Sequence, residues 1–201
     1  MCAGTRQLLD AAKGDRLEPL VVVGLALGLR PGELTGLAWD CVDLEAGIVH
    51  IRQTLKRENN RLRIGGLKTP RARRSLRIPE VVHQALKTHR AQQVAERLAF
   101  GPLWSTEWPG LVFTAPLGTP VDPSNLRRDF QRLCDRADLG RWTPYELRHS
   151  AASLLSAAGV PLELIADTLG HDGTRMTAQV YRHAIGPTVD AAAGPMDRLL
   201  G

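Results

Sequence analysis

The chain has 201 residues, 43% of them hydrophobic, with a formal net charge of +5 and a pI near 9.6. That length suits one domain, or one large domain with a tail, and the apolar fraction is enough for an ordinary core. The longest apolar run, Pro19 to Leu29, is about half of what a membrane span needs, and Arg6, Asp10 and Lys13 interrupt any secretory signal at the N-terminus.

In chain order, Arg16 to Leu29 is apolar around most of its circumference and predicts a buried helix. Pro31 disfavours helix at Arg30 and suits the first turn of a new helix, so Arg30 falls at a helix–helix junction with Glu33 three residues beyond it. Cys2, Cys41 and Cys134 are odd in number and widely spaced; they fit neither a disulfide framework nor a zinc motif and favour a reducing cytosol. Ile48 to Gln53, Arg61 to Ile64 and Arg74 to Ile78 read as strands, with a turn expected at Gly65-Gly66. This small sheet would carry most of a basic run: between Arg52 and Arg77 lie ten basic residues and one acid, Glu58. Such a run favours an acidic partner, nucleic acid being the commonest.

Glu80 to Ala99 has helical spacing, Gly101 to Gly110 reads as a loop, and Leu111-Val112-Phe113 is a short apolar segment. Pro123 to Ala137 predicts an amphipathic, basic helix. Thr143-Pro144-Tyr145-Glu146 has the form of a capping box, with Arg148 about one turn inside the helix that follows. Pro161 to Leu169 predicts a helix stopped by Gly170, Thr174 to Arg182 a further helical stretch, and Pro187 to Leu200 a tail helix.

Three islands carry the chemistry. They are Leu29-Arg30-Pro31-Gly32-Glu33-Leu34, then Tyr145-Glu146-Leu147-Arg148-His149, then Leu169-Gly170-His171 followed ten residues later by Tyr181. Two arginines, a histidine and a tyrosine make a site for an anion and a nucleophile. Guanidinium forks match phosphate oxygens and keep their charge at any working pH. A tyrosine can attack phosphorus and hold it covalently. Each residue also has an ordinary use: Arg30 can pair with Glu33, and Tyr181 can pack on an amphipathic helix. No carboxylate cluster of the kind used by two-metal nucleases is visible.

In wording and order these islands resemble the catalytic domain of the tyrosine recombinases, the phage-integrase family of DNA-breaking and rejoining enzymes. Gly28-Leu29-Arg30-Pro31-Gly32-Glu33-Leu34 matches the family's Gly-Leu-Arg-x-Gly-Glu-Leu. Thr143-Pro144-Tyr145-Glu146-Leu147-Arg148-His149 matches its Thr-Pro-His-x-Leu-Arg-His in all but one letter. Gly66-Leu67-Lys68-Thr69-Pro70, followed by Arg74 to Pro79, is similar to the family's lysine hairpin and return strand. The resemblance runs roughly from Arg16 to His183 and implies an α+β fold, mainly helical, with a small antiparallel sheet of about three strands.

The resemblance also implies roles. Tyr181 would be the nucleophile, Arg30 and Arg148 the clamp on the non-bridging phosphate oxygens, and His171 a hydrogen-bond donor to the phosphate. Lys68 would be the general acid, with Lys56 as its substitute. Tyr145 takes the slot of a phosphate ligand where most members have histidine, and Glu33 and His149 would support the site from behind. Arg73, Arg74 and Arg77 on the basic run, with Arg127 and Arg128 on the basic helix, are the expected DNA contacts. No cofactor and no metal is implied. The implied partners are double-stranded DNA with specific recombination sites, a homo-tetramer on that DNA, and accessory or directionality proteins, with no membrane. The implied location is the bacterial cytoplasm, beside the nucleoid. The expected organisation is a catalytic domain at 1–186 and a tail at 187–201 that docks on a neighbouring subunit or folds back. The N-terminal core-binding domain usual in the family is expected to be absent, which makes the chain a fragment or a short member. Two other readings share parts of the pattern: a type IB topoisomerase-like relaxing enzyme, and a catalytically decayed DNA-binding relative, which Tyr145 alone suggests.

Overall fold

The apolar run after Arg16 is the centre of the molecule. In the computed structural model, which describes residues 3–67, 72–108, 110–170, 188–189 and 193–200, α1 (Ala3–Ala12) leads into α2 (Glu18–Leu27). Every residue of α2 from Pro19 to Leu27 is buried, because α4 (Glu80–Phe100), α6 (Tyr145–Ala157) and α1 surround it. A helix covered on all sides has no polar stripe to show. Gly28 ends it at φ 60°, with its N–H on the Gly24 carbonyl. Pro31 then starts α3 (Pro31–Thr35), and Arg30 before it is extended, as the residue preceding a proline must be.

Two small sheets follow. The first has the order β1 (Val42–Asp43), β2 (Ile48–Ile51), β5 (Arg74–Arg77), β6 (Thr188–Val189), with the β5–β6 pair parallel and the others antiparallel. Val49 faces Leu76 and Ile51 faces Arg74 across the β2–β5 ladder. The second sheet is a hairpin of β3 (Gln53–Glu58) and β4 (Arg61–Gly66). The expected single sheet of about three strands is thus two sheets. Gly65-Gly66 is the end of a strand; the turn is Asn59-Asn60, both at positive φ (47° and 60°), as a two-residue hairpin turn demands. The strand Gln53–Glu58 buries only Leu55, so it lacks the alternation that would have announced it. It lies against α3 instead, and Gly32 and Gly36 allow the approach: a Cβ on Gly36 would stand 2.5 Å from the Leu55 nitrogen.

The remaining helices are α5 (Pro123–Arg136), α7 (Leu162–Leu169) and α8 (Ala193–Leu200). Asp122 caps α5 by accepting from the Ser124 N–H at 2.8 Å. The capping box expected at α6 does not form. Pro144 already has helical angles, so Thr143 stands outside and contributes only its carbonyl, which accepts from the Glu146 N–H at 2.8 Å. The tail is a short strand and then a helix, and it returns to its own chain. Met196 is buried among Leu154, Leu155, Ile165 and Leu169, and Asp197 accepts from the Glu80 N–H at 2.6 Å, at the start of α4. The helix expected over 174–182 lies outside the described residues.

Among the described residues there are two hydrophobic cores. The larger is built around α2, the first sheet, α4 and α5; it ends at Leu147 on α6. The smaller joins Ala151, Leu154 and Leu155 of α6 to α7 and α8. His89 of α4 is buried under the larger core, 2.7 Å from the Val112 carbonyl through Nε2 and stacked on Phe113 at 5.4 Å. Among the described residues no helix is long and apolar enough to cross a membrane.

Candidate functional site

Arg148 lies between the two cores. It follows Leu147 of the larger and stands one turn before Ala151 of the smaller, and it is only 5% exposed. Its Nη1 donates to the Gly28 carbonyl at 2.8 Å and to the Leu169 carbonyl at 2.7 Å. Its Nη2 is buried and has no partner among the described residues. Burial first, and the neighbouring Arg30 charge second, lower its pKa to about 10, against the pull of Glu33. It is still a cation at neutral pH. A buried guanidinium with an unspent donor is costly by itself and is satisfied by an anion carrying acceptor oxygens.

Arg30 reaches the same place from the α2–α3 junction. Its Nη2 donates to the Gly170 carbonyl at 2.8 Å. Arg148 and Arg30 therefore hold the carbonyls of two consecutive residues, Leu169 and Gly170, at the negative end of α7. Arg30 stays 32% exposed at its side chain, so it is open to a ligand.

Glu33 sets the orientation of Arg30. Its side chain is 2% exposed; it accepts from the Arg30 backbone N–H at 3.1 Å and from Arg30 Nη1 at 2.7 Å. Arg74 Nη2 donates to its other face at 2.9 Å. Burial works against ionisation of this carboxyl, but the Arg74 charge and the hydrogen bonds from Arg74 and Arg30 outweigh it and hold it below its ordinary value. Two guanidinium groups, of Arg30 and Arg74, thus share one carboxylate, and with Arg148 beside them the site keeps an excess of positive charge suited to an anion.

The remaining expected residues divide clearly. Tyr145 opens α6, is 51% exposed, and is near enough for its phenol to act on the Arg148 charge. His149 is exposed, and among the described residues its ring has no hydrogen-bond partner. Arg73, Arg77, Arg127 and Arg128 are exposed. Lys56 is on the hairpin and paired with Glu58 at 2.6 Å. Lys68, His171 and Tyr181 lie outside the described residues.

Arg74 corrects the list of DNA contacts. Its side chain is 5% exposed and its donors are turned inward, so it is not a surface contact. The signal was present in the sequence: strand alternation puts Arg74 on the same face as Leu76, which is buried, and leaves Ser75 and Arg77 on the other. The backbone acceptors of Leu169 and Gly170 were not foreseen either. Among the described residues no group of three or more His, Cys, Asp and Glu side chains is placed to hold a metal ion.

The chain is 38% identical over 207 aligned residues to an integrase of Streptomyces ambofaciens, covering 97% of this chain and 51% of that one. It is 32% identical over 190 residues to a protein named tyrosine recombinase XerC-like from Caldanaerobacter subterraneus subsp. tengcongensis, covering 90% and 49%. The chain thus spans about half the length of these curated relatives. Among solved structures it is similar to the Tn1549 transposon integrase in complex with circular intermediate DNA. The TM-score is 0.74 at 25% identity, over 99% of this chain and 66% of that one. The sequence model of the phage integrase family matches residues 5–185, most of the chain from α1 onward: the chain belongs to the phage integrase family.

Proposed function

We propose that this chain is the catalytic part of a site-specific DNA recombinase that cuts and rejoins strands through a 3′-phosphotyrosine. The observation that carries the reading is the convergence of Arg30 and Arg148 on consecutive carbonyls, with one buried donor of Arg148 unspent among the described residues. In the proposed reaction the Tyr181 hydroxyl gives up its proton to solvent as its oxygen attacks phosphorus, and the bond to the 5′ oxygen breaks. The leaving oxygen takes a proton from Lys68 and departs as a 5′-hydroxyl. Arg30 and Arg148 bind the non-bridging oxygens, where charge grows in the transition state; donors fixed beforehand need no reorganisation there. His171 adds a hydrogen bond to the same phosphate, and the Tyr145 hydroxyl can donate another. A 5′-hydroxyl from a second strand reverses the step, so the phosphoester energy is kept in the tyrosine linkage and no ATP is consumed.

The proposed substrate is double-stranded DNA carrying paired recombination sites, with four copies of the protein assembled on it. Arg73, Arg77, Arg127 and Arg128 are the proposed backbone contacts. The test is a duplex built from the DNA flanking the gene, with a nick beside the cleavage point so that the short 5′ fragment diffuses away. A denaturing gel then shows covalent protein–DNA adduct with the wild type and none with Tyr181→Phe. If the full protein binds this DNA and forms no adduct, the decayed DNA-binding reading replaces the catalytic one.

A further inference from the structure

Arg74 spends its donors on groups of its own chain. Its Nε donates to the Thr168 carbonyl at 2.7 Å, its Nη1 to the Ala72 carbonyl at 2.9 Å, and its Nη2 to Glu33 at 2.9 Å. These acceptors belong to three separate stretches of chain. Thr168 is in the last turn of α7, three residues before His171 in sequence. Ala72 is four residues after Lys68. Glu33 holds Arg30. The Gly170 backbone rests on the same guanidinium: a Cβ there would stand 2.8 Å from Nη1.

We infer that Arg74 is a positioning residue for strand cleavage, whose single guanidinium sets the stretches carrying Arg30, Lys68 and His171 in register with one another. The inference rests on the function proposed above. A planar group with donors at fixed angles can hold three acceptors in one arrangement; an ammonium on a flexible stem cannot. Arg74 also supplies the charge that keeps Glu33 ionised. Without it, burial pushes the Glu33 carboxyl upward against the hydrogen bonds from Arg30 alone, and each protonation removes the charge that fixes both the Nη1 and the backbone N–H of Arg30. The arginine that meets the phosphate would then be loose, although it is itself unchanged. Misplacement of reacting groups by about 1 Å is enough to cost on the order of 100-fold in rate.

The test uses Arg74→Met and Arg74→Lys in the full protein, on the nicked duplex described above, at saturating DNA. Arg74→Met is expected to form adduct about 100-fold more slowly than wild type, with DNA affinity within about threefold. Its rate should fall off at a higher pH on the acid side, because Glu33 protonates sooner. Arg74→Lys keeps the charge and loses the fork. It should restore the wild-type acid limb while remaining slower than wild type. It also keeps the test open if Arg74→Met does not fold. Carbon-13 resonances of the Glu33 carboxyl give a readout that needs no activity: its titration moves up in Arg74→Met and stays low in Arg74→Lys. A wild-type adduct rate in Arg74→Met, or a loss of DNA affinity with the rate at saturation intact, overturns the inference. A wild type that binds this DNA and forms no adduct overturns the proposed function itself, which is a different result.

Discussion

Replacing Gly28 by alanine tests the joint between α2 and α7. Gly28 sits at φ 60°, and a Cβ there would lie 2.2 Å from Leu169 Cδ2 and 3.2 Å from the Ala151 Cβ. The left-handed backbone costs an L-residue about 1–2 kcal/mol. Leu169 is 1% exposed and has no room to retreat, so displacing it adds about 1–3 kcal/mol of overpacking. Alanine recovers about 0.4–1 kcal/mol by stiffening the unfolded chain. The net loss is about 1–5 kcal/mol, centred on ~3 kcal/mol, which is about 6–12 °C in Tm for a chain of this size. Gly47→Ala is the control. Its φ is 67° but nothing stands within 4 Å of the added carbon, so only the backbone cost applies, about 1 kcal/mol. Urea unfolding followed by circular dichroism compares the two, and the slope m should not change. In a Gly28→Ala/Leu169→Ala double variant the collision is gone, and the two losses should add to less than their sum. Equal destabilisation by Gly28→Ala and Gly47→Ala would refute the packing of Leu169 against α2.

Arg148→Lys should lower the rate of adduct formation by about 100- to 1,000-fold in the nicked-duplex assay, the usual loss for one preorganised donor at a developing anion; a rate near wild type would contradict the placement of Nη2. His89 yields a pH dependence of stability. Burial first, and the nearby Arg16 charge, hold its pKa below 6.5, so the folded chain keeps it neutral while the unfolded chain takes up a proton. Its contribution is complete above pH 6.5 and is lost as pH falls from there toward the lower folded value, a decline that urea midpoints should show and that His89→Gln should lack. Glu33 adds a separate loss at lower pH, beginning as pH falls below 4.5, because its folded value lies below that of the unfolded chain. Arg127 is exposed and unpaired among the described residues, whereas Arg128 is held by Asp129 at 3.3 Å. Arg127→Ala should therefore flatten the log–log salt dependence of DNA binding by about 0.9 and Arg128→Ala by less, measured by fluorescence anisotropy across salt concentrations.

The parts of the fold that were legible in the sequence are those where side-chain type and backbone demand coincide. The run Pro19–Leu27 is apolar on every side because every side is covered, and Pro31 marks the start of α3 by its own geometry. The hairpin was misread because Gln53–Glu58 packs on a short helix through Leu55 alone, and a polar strand has no periodicity to detect. Thr143 offered the letters of a cap, but Pro144 entered the helical region one residue early. In the site, the pairing of Arg30 with Glu33 and the placing of Arg148 beside them followed from the motifs. Arg74 was sorted by charge into the DNA-facing group although alternation with Leu76 turned it inward. The carbonyls of Leu169 and Gly170 were invisible for a simpler reason: a backbone acceptor has no letter of its own.

The division of the interior into two cores has a consequence for how this protein fails. Arg148 belongs to neither core alone; one of its carbonyl partners ends α2 and the other ends α7. The smaller cluster holds few side chains, and part of its closure comes from α8 through Met196. Clusters of that size open at lower free energy than the whole molecule. Heat or denaturant would then part α7 from α2 while the larger core, with most of the helical signal, remains intact. The site would come apart before the molecule melts, at a temperature where the spectrum still reports a folded protein.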